Sequence, residues 1–224
     1  MVHGTAEAEF CRRLGVGEGK IVRVAPGVAP LAGSAEAGAA VPHGARVLAC
    51  MGALEHHKGF RDAIWAFDIL RFLYPDLHLL LIGDGPDRPR LERFARDIHC
   101  EGAVHFLGNR VDGPALLSLA EVVWVPDYVE GGINVSLEAM AACRAVVASR
   151  LPGLSEVIVD GETGVLVPPG RPAELARKTR LLLDDAERRR RMGDAGRRRA
   201  AELFPVSELA RRASLVYQEV HGGS

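Results

Sequence analysis

Two glutamates, Glu130 and Glu138, lie on either side of a glycine pair, directly after the apolar run 122–125. The run predicts a buried strand and the residues from Ile133 onward predict a helix, so the glycines belong to a loop before a helix N-terminus. Unpaired backbone N–H groups and the helix dipole at such a start favour an anionic ligand, for example a phosphate. Because side chains tilt back toward the N-terminus of a helix, we expect Glu138 to lean toward the same ligand. A carboxylate beside a phosphate site suits a neutral polyol, for example a ribose diol.

The chain from residue 46 onward supplies the strands and helices that would position this loop. Apolar runs predict strands at residues 47–51, 77–82, 104–107, 122–125, 145–148 and 164–167, and helical patterns lie between them at 59–74, 88–98, 114–120, from 133 and near 154–159. Because the strand runs are apolar on both faces, they predict a Rossmann-like α/β fold, a parallel sheet with helices on both faces. The remaining residues predict a helical C-terminal tail at 172–184, 186–203 and from Pro205 to about 220.

The first 45 residues have a different character. A helical pattern at 6–14 and an extended run at 21–24 are too short to fold alone, and residues 33–45 have the small, polar, Gly- and Pro-punctuated composition of a linker. We therefore divide the chain into residues 1–45, the end of a preceding unit plus a linker, and residues 46–224, the principal domain.

Composition excludes several classes of function. A net charge of -1 gives no general reason to expect nucleic acid as a partner. The four cysteines lack the spacing of a metal site, and we expect free thiols in a reducing compartment. No apolar stretch approaches the roughly 20 residues of a membrane span, so we expect a cytoplasmic protein.

Trp65 and Trp124 fall in apolar patterns and are expected in the core, and the arginine-rich stretch 188–199 is expected to be a solvated helix face.

Three further loops follow predicted strands and would share the carboxyl edge of the sheet, where ligands of parallel sheets bind. In the first, Gly52 to Gly59, Lys58 precedes a helix and can reach a phosphate as a point charge. A solvated lysine at a helix start explains Lys58 equally well. The second loop, residues 83–86, and the third, with Asn109, are by themselves ordinary turns.

Six segments of the chain, taken together, resemble a known family, although no single segment would be enough to indicate it. In order they are residues 52–59, 83–86, 106–108, 130–141, 146–149 and 161–170. The series resembles the C-terminal, nucleotide-sugar-binding domain of retaining glycosyltransferases of the GT-B fold, in the large group 1 (family-four type) family. The similarity runs from about residue 46 to residue 220, with the motifs in the family's order. It implies the donor-binding half of an enzyme that moves a sugar from a nucleotide diphosphate sugar to an acceptor.

The resemblance also implies roles for individual residues. Glu130 would face the donor sugar as the catalytic residue, Glu138 would bind the ribose hydroxyls and Lys58 the diphosphate. The other donor-binding residues would be Gly52, Gly132, Ile133, Asn134 and Val135, with Asn109 in a loop that borders the base. No cofactor or metal is expected, because Lys58 and the helix dipole can neutralise the leaving diphosphate.

Two positions depart from the family pattern. Ala53 replaces an arginine that clamps the diphosphate, so a bidentate donor is missing. Residues 152–156, Pro-Gly-Leu-Ser-Glu, keep only the glycine and the glutamate of the usual Gly-Gly-x-Pro-Glu.

The family's N-terminal acceptor-binding domain is also missing. Residues 1–32 resemble only its last helix and strand, and residues 24–28 resemble the sequence that crosses between the two domains, so residues 1–45 are expected to be a remnant of that domain plus the inter-domain linker. We expect the chain to bind a donor nucleotide weakly and to transfer little or nothing alone. The sequence does not identify the acceptor. A peripheral membrane contact of the full-length protein is compatible with the sequence. A natural start at Met1, with a separate partner chain, is the alternative.

Two other functions compete with sugar transfer. A dinucleotide-dependent oxidoreductase would need Gly-x-Gly-x-x-Gly after the first strand, where this chain has Gly-Ala-Leu-Glu-His-His at 52–57. A non-catalytic nucleotide-binding or interaction module with a degenerate site is favoured by Ala53 and the short N-terminal part. The presence of Glu130, Glu138 and Lys58 argues against it.

Overall fold

The computed structural model describes residues 2, 4–30 and 41–221. Most of the predicted linker, residues 33–40, lies outside the described residues. The division of the chain at residue 45 therefore stays a prediction.

Six parallel strands form one sheet in the order β3-β2-β1-β4-β5-β6. They are β1 Arg46–Met51, β2 Leu77–Ile82, β3 Val104–Gly108, β4 Val122–Val125, β5 Ala145–Ser149 and β6 Val165–Val167. The predicted fold class is confirmed. Cys50 is paired with Leu81 of β2 on one side and with Trp124 of β4 on the other. The order of the strands reverses between β1 and β4, which is where sheets of this kind bind ligands beyond their carboxyl ends.

Helices cover both faces of the sheet. They are α1 Thr5–Arg13, α2 Phe60–Arg71, α3 Arg88–Asp97, α4 Gly113–Leu116, α5 Ile133–Ala141, α6 Pro152–Val157, α7 Pro172–Leu183, α8 Ala186–Leu203 and α9 Val206–His221. The predicted bounds differ most at the ends of α4 and α2, expected at residues 120 and 74 and found at Leu116 and Arg71, and α6 begins at Pro152 rather than near residue 154. Proline is well suited to the first turn of a helix, because its fixed φ matches the helix and its missing N–H is not needed there.

The core lies on both faces of the sheet, with α2, α3 and α7 on one and α4, α5 and α6 on the other. Trp124 is buried as predicted, and its Nε1 donates a hydrogen bond of 2.8 Å to Thr179 Oγ1. The prediction for Trp65 was wrong, because its side chain is 46% exposed. On α2 the buried stripe includes Ile64 and Phe67, and Trp65 is rotated away from it toward Arg61, which lies over its ring.

The N-terminal segment packs against α6 and the junction of α8 with α9. Thr5 N donates to Glu156 Oε1 at 2.8 Å, and the guanidinium of Arg23 contacts the same carboxylate at 3.3 Å. Further along, Val28 exchanges backbone hydrogen bonds with Phe204 and Val206. Residues 4–30 therefore lie beside the carboxyl edge of the sheet.

Four of the seven arginines in the arginine-rich stretch of α8 are exposed, as predicted, but two others make structural hydrogen bonds. Arg189 donates to Leu182 O at 2.7 Å, and Arg199 donates to Val157 O at the end of α6 at 2.7 Å. No helix over the described residues is long and apolar enough to cross a membrane.

Candidate functional site

Two adjoining hollows open at the carboxyl ends of β1 and β4 and share Met51, Gly52 and Ala53. The first, of about 330 Å³, also reaches Lys58 and the loop between β4 and α5. The second, of about 410 Å³, extends to Ile82 and to the loop after β3. The predicted residues Gly52, Lys58, Glu130, Gly132, Ile133, Asn134 and Val135 all line the first hollow, and Asn109 lines the second. Of the predicted site residues, Glu138 alone lines neither.

The start of α5 forms one wall of the first hollow. Its N-cap, Gly132, has φ +67°, and no side chain of the described residues caps the helix. Only glycine fits there, because a Cβ would lie 2.3 Å from Val125 Cγ1. The first-turn residues Ile133, Asn134 and Val135 line the hollow, so their backbone N–H groups and the positive end of the helix dipole are available to an anion.

Lys58 ends a short 3₁₀ turn, His56–Lys58, beside this helix start. Its Nζ donates a hydrogen bond of 2.8 Å to Asp127 Oδ2. Burial raises the pKa of Asp127, and the hydrogen bond from Lys58 opposes that shift. The backbone of Gly131 covers the pair, since a Cβ there would lie 2.6 Å from the ammonium.

Sequence reasoning missed Asp127. The signal was present, because Asp127 is the first polar residue after the buried β4 and therefore had to lie at the carboxyl edge.

Glu130 lies at the rim of the first hollow and is held by α6. Its carboxylate accepts a hydrogen bond from the backbone N–H of Gly153, at 3.1 Å to Oε2 and 3.3 Å to Oε1. Burial raises the pKa of Glu130, the Gly153 hydrogen bond opposes the shift, and the nearby carboxylate of Glu7 adds to it. The first turn of α6 thus orients the predicted catalytic carboxylate. The glycine retained at position 153 therefore has a specific use.

Glu138 lies one turn beyond Asn134 on the same side of α5, because the two are four residues apart. Within the described part of the chain its half-buried carboxylate has no hydrogen bond or ion pair, and burial alone raises its pKa. A side chain in this state can accept hydroxyl donors from a ligand without first giving up a protein partner.

Two residues from the N-terminal segment also line the first hollow, Glu7 of α1 and Pro26. Sequence reasoning did not place them there. Their positions depend on contacts with α6 and α8, more than a hundred residues away, and no local pattern reports such a contact.

Comparison with known sequences identifies one family. Residues 35–199 match the sequence model of the glycosyl transferases group 1. The glycogen synthase of Mycobacterium tuberculosis is 34% identical over 169 residues, which cover 75% of this chain and 41% of that protein. The alpha-D-kanosaminyltransferase of Streptomyces kanamyceticus is 34% identical over 173 residues, 76% of this chain and 45% of that protein. The chain thus spans less than half the length of these relatives.

Solved structures share the fold. The sucrose-phosphate synthase of Thermosynechococcus elongatus superposes with a TM-score of 0.86 at 27% identity, over 100% of this chain and 58% of that one. Anabaena HepE, solved in complex with UDP-glucose, superposes with a TM-score of 0.86 at 20% identity, over 97% of this chain and 63% of that one. At that identity the second likeness concerns the fold alone.

Proposed function

Because this chain belongs to the glycosyl transferases group 1 family, we propose that it is the donor-binding half of a retaining glycosyltransferase. The enzyme moves a sugar from a nucleotide diphosphate sugar to an acceptor. One observation carries the proposal: the uncapped start of α5 and the ammonium of Lys58 line the same hollow at the carboxyl edge of the sheet. Both favour a diphosphate.

The rest of the donor follows from the neighbouring residues. With the diphosphate on α5 and Lys58, the ribose hydroxyls bind the carboxylate of Glu138. The base occupies the second hollow, near Asn109. The sugar extends the other way, toward Glu130 at the rim. The complex of Anabaena HepE with UDP-glucose supports a ligand of this class, because that protein shares the fold.

During transfer the bond between the anomeric carbon and the diphosphate oxygen breaks, and negative charge grows on the leaving diphosphate. An acceptor hydroxyl oxygen forms the new bond to the anomeric carbon, and its proton passes to the leaving diphosphate oxygen. Lys58 and the positive end of the α5 dipole stabilise that charge, so the proposed mechanism uses no metal or other cofactor. Glu130, oriented by Gly153, faces the positively charged sugar.

The acceptor site belongs, in this proposal, to an N-terminal acceptor domain, and the chain by itself transfers little or no sugar. In this proposal the acceptor contacts the sugar from the side of Glu130. We place the enzyme in the cytoplasm, with a peripheral membrane contact of the full-length protein as a further proposal.

The test is a calorimetric titration of the purified chain with UDP, GDP and ADP and with their sugars. We expect one of the three bases to be preferred and Glu138→Ala to abolish or strongly weaken binding. Glu162→Ala is a matched control, because Glu162 is an exposed glutamate that lines neither hollow. If no nucleotide binds at millimolar concentration, the donor-site proposal is wrong.

That negative result would favour the second candidate, a non-catalytic interaction module with a degenerate site. The specific observation behind this alternative is Ala53, which lies in both hollows where the family has an arginine.

A further inference from the structure

The Lys58–Asp127 ion pair lies at the proposed diphosphate site, where Lys58 lines the first hollow and Asp127 is buried beside it. The ammonium and the carboxylate are 2.8 Å apart, with only 20% of the lysine side chain and 5% of the aspartate side chain exposed. Gly131 closes over both groups, because a Cβ at that residue would lie 2.6 Å from Lys58 Nζ and 2.8 Å from Asp127 Oδ2. The pair is therefore fixed by packing as well as by charge.

This arrangement changes the electrostatics of the site. Among the described residues, Lys58 is the one cationic side chain that lines the first hollow, and the neighbouring Ala53 carries no charge. The buried carboxylate of Asp127 offsets the charge of Lys58 and occupies one of its three N–H donors. Because the pair is largely shielded from water, the carboxylate also repels a nearby phosphate more strongly than a surface charge would.

We propose that Asp127 is a specificity-determining residue of the donor site, which limits the affinity for the diphosphate by neutralising Lys58. The inference rests on the proposed function, because it concerns the ligand of the same site. The penalty grows with the negative charge of the ligand. A nucleoside diphosphate carries about one more negative charge than its sugar ester, because its terminal phosphate loses a second proton at a pH of about 6. Asp127 therefore weakens binding of the product more than binding of the donor and favours product release.

The experiment compares the chain with Asp127→Asn, which keeps an oxygen to accept from Lys58 but removes the charge. Each protein is titrated at pH 8 with a nucleoside, its monophosphate, its diphosphate and its diphosphate sugar, for the bases uracil, guanine and adenine. Asp127→Ser is the second variant, and a thermal melt of each protein verifies folding. Asp68→Asn is the matched control, because Asp68 also pairs with a cation, Arg71 at 2.7 Å, but lies on α2, about 12 Å along the helix from its start.

We expect Asp127→Asn to bind the diphosphate about ten-fold more tightly, the diphosphate sugar less so, and the nucleoside as the parent chain does. Asp127→Ser should follow the same order, and Asp68→Asn should change nothing. Binding that appears only in the variants would leave the parent chain without a donor ligand, so the proposed function and the inference would both fail.

Unchanged or weaker diphosphate binding in a folded Asp127→Asn, with the parent chain still binding, would overturn the inference and leave the proposed function intact. A uniform gain for all ligands, the nucleoside included, would overturn it too. If neither the parent chain nor a folded variant binds any nucleotide, the proposed function and the inference both fail.

Discussion

The carboxylate of Glu130 accepts a hydrogen bond from the backbone N–H of Gly153, at 3.1 Å, although the two residues are 23 positions apart in the sequence. The contact joins the β4–α5 loop to the first turn of α6. A side chain at residue 153 would require the Glu130 carboxylate to move, because a Cβ would lie 2.6 Å from Glu130 Oε2 and 3.0 Å from Ile133 Cδ1.

Gly153→Ala should therefore displace Glu130 while leaving α5 and Lys58 in place. We expect affinity for the nucleotide sugar to fall about ten-fold, as for loss of a hydrogen bond to a charged group, and affinity for the nucleoside diphosphate to change little. Calorimetry with both ligands measures the difference. Gly102→Ala is the control, because a Cβ at Gly102 meets nothing within 4 Å. Equal losses for the two ligands would argue against a role of Glu130 at the sugar.

Binding should depend on pH through Glu138. Burial raises the pKa of this carboxyl above its ordinary value, and ribose hydroxyls that donate to it require the ionised form. Ligand binding then lowers its pKa, so affinity for a nucleotide sugar is full above the raised pKa and falls as the pH drops through it. Glu138→Gln should bind about ten-fold more weakly near neutral pH and should lose this pH dependence.

A ligand without ribose hydroxyls provides a second control for Glu138. The dideoxyribose form of the same nucleotide sugar should bind weakly to the parent chain and should lack the Glu138-dependent decline at low pH. If the decline persists in both Glu138→Gln and the dideoxy ligand, another group is responsible.

Substitution of Gly132, the left-handed N-cap of α5, should lower the free energy of unfolding by more than its backbone conformation alone would cause. Gly132 and Gly170 have almost the same φ, +67° and +68°, but a Cβ at Gly170 meets nothing within 4 Å. We expect Gly170→Ala to lower the free energy of unfolding by about 1 kcal/mol. Gly132→Ala should cost about 3 kcal/mol, because overlap with Val125 adds to the backbone strain. Urea denaturation of both variants measures the difference, and equal losses would contradict the packing argument.

Ala53 provides a gain-of-function test. Its exposed side chain lines both hollows, so an arginine there can reach a diphosphate held by α5. We expect Ala53→Arg to bind the nucleoside diphosphate about ten-fold more tightly through a bidentate contact. Ala53→Gln, which adds length without charge, should bind no better than the parent chain. A gain of equal size in both variants would indicate a contact that does not depend on charge.

Much of this architecture was accessible from local patterns. The apolar runs of β2 and β4 have the predicted bounds, and the alternation of strands and helices implied a parallel sheet. That sheet placed the loops after β1 and β4 at one edge. The sequence likewise located the glycine pair and the helix start at Ile133. These features depend on residues within one turn or one strand of each other, so a short window of sequence contains the information.

The tertiary structure alone decided which distant groups meet. Lys58 contacts Asp127 because β1 and β4 are neighbours at the point where the strand order reverses. Glu130 contacts Gly153 because β5, which leads into α6, pairs with β4. The two tryptophans make the same point, since both lie in apolar patterns but only Trp124 faces the packed layer. Periodicity fixes which residues share a face of an element, whereas the partner of that face is set by strand order and packing, which a single stretch of sequence does not contain.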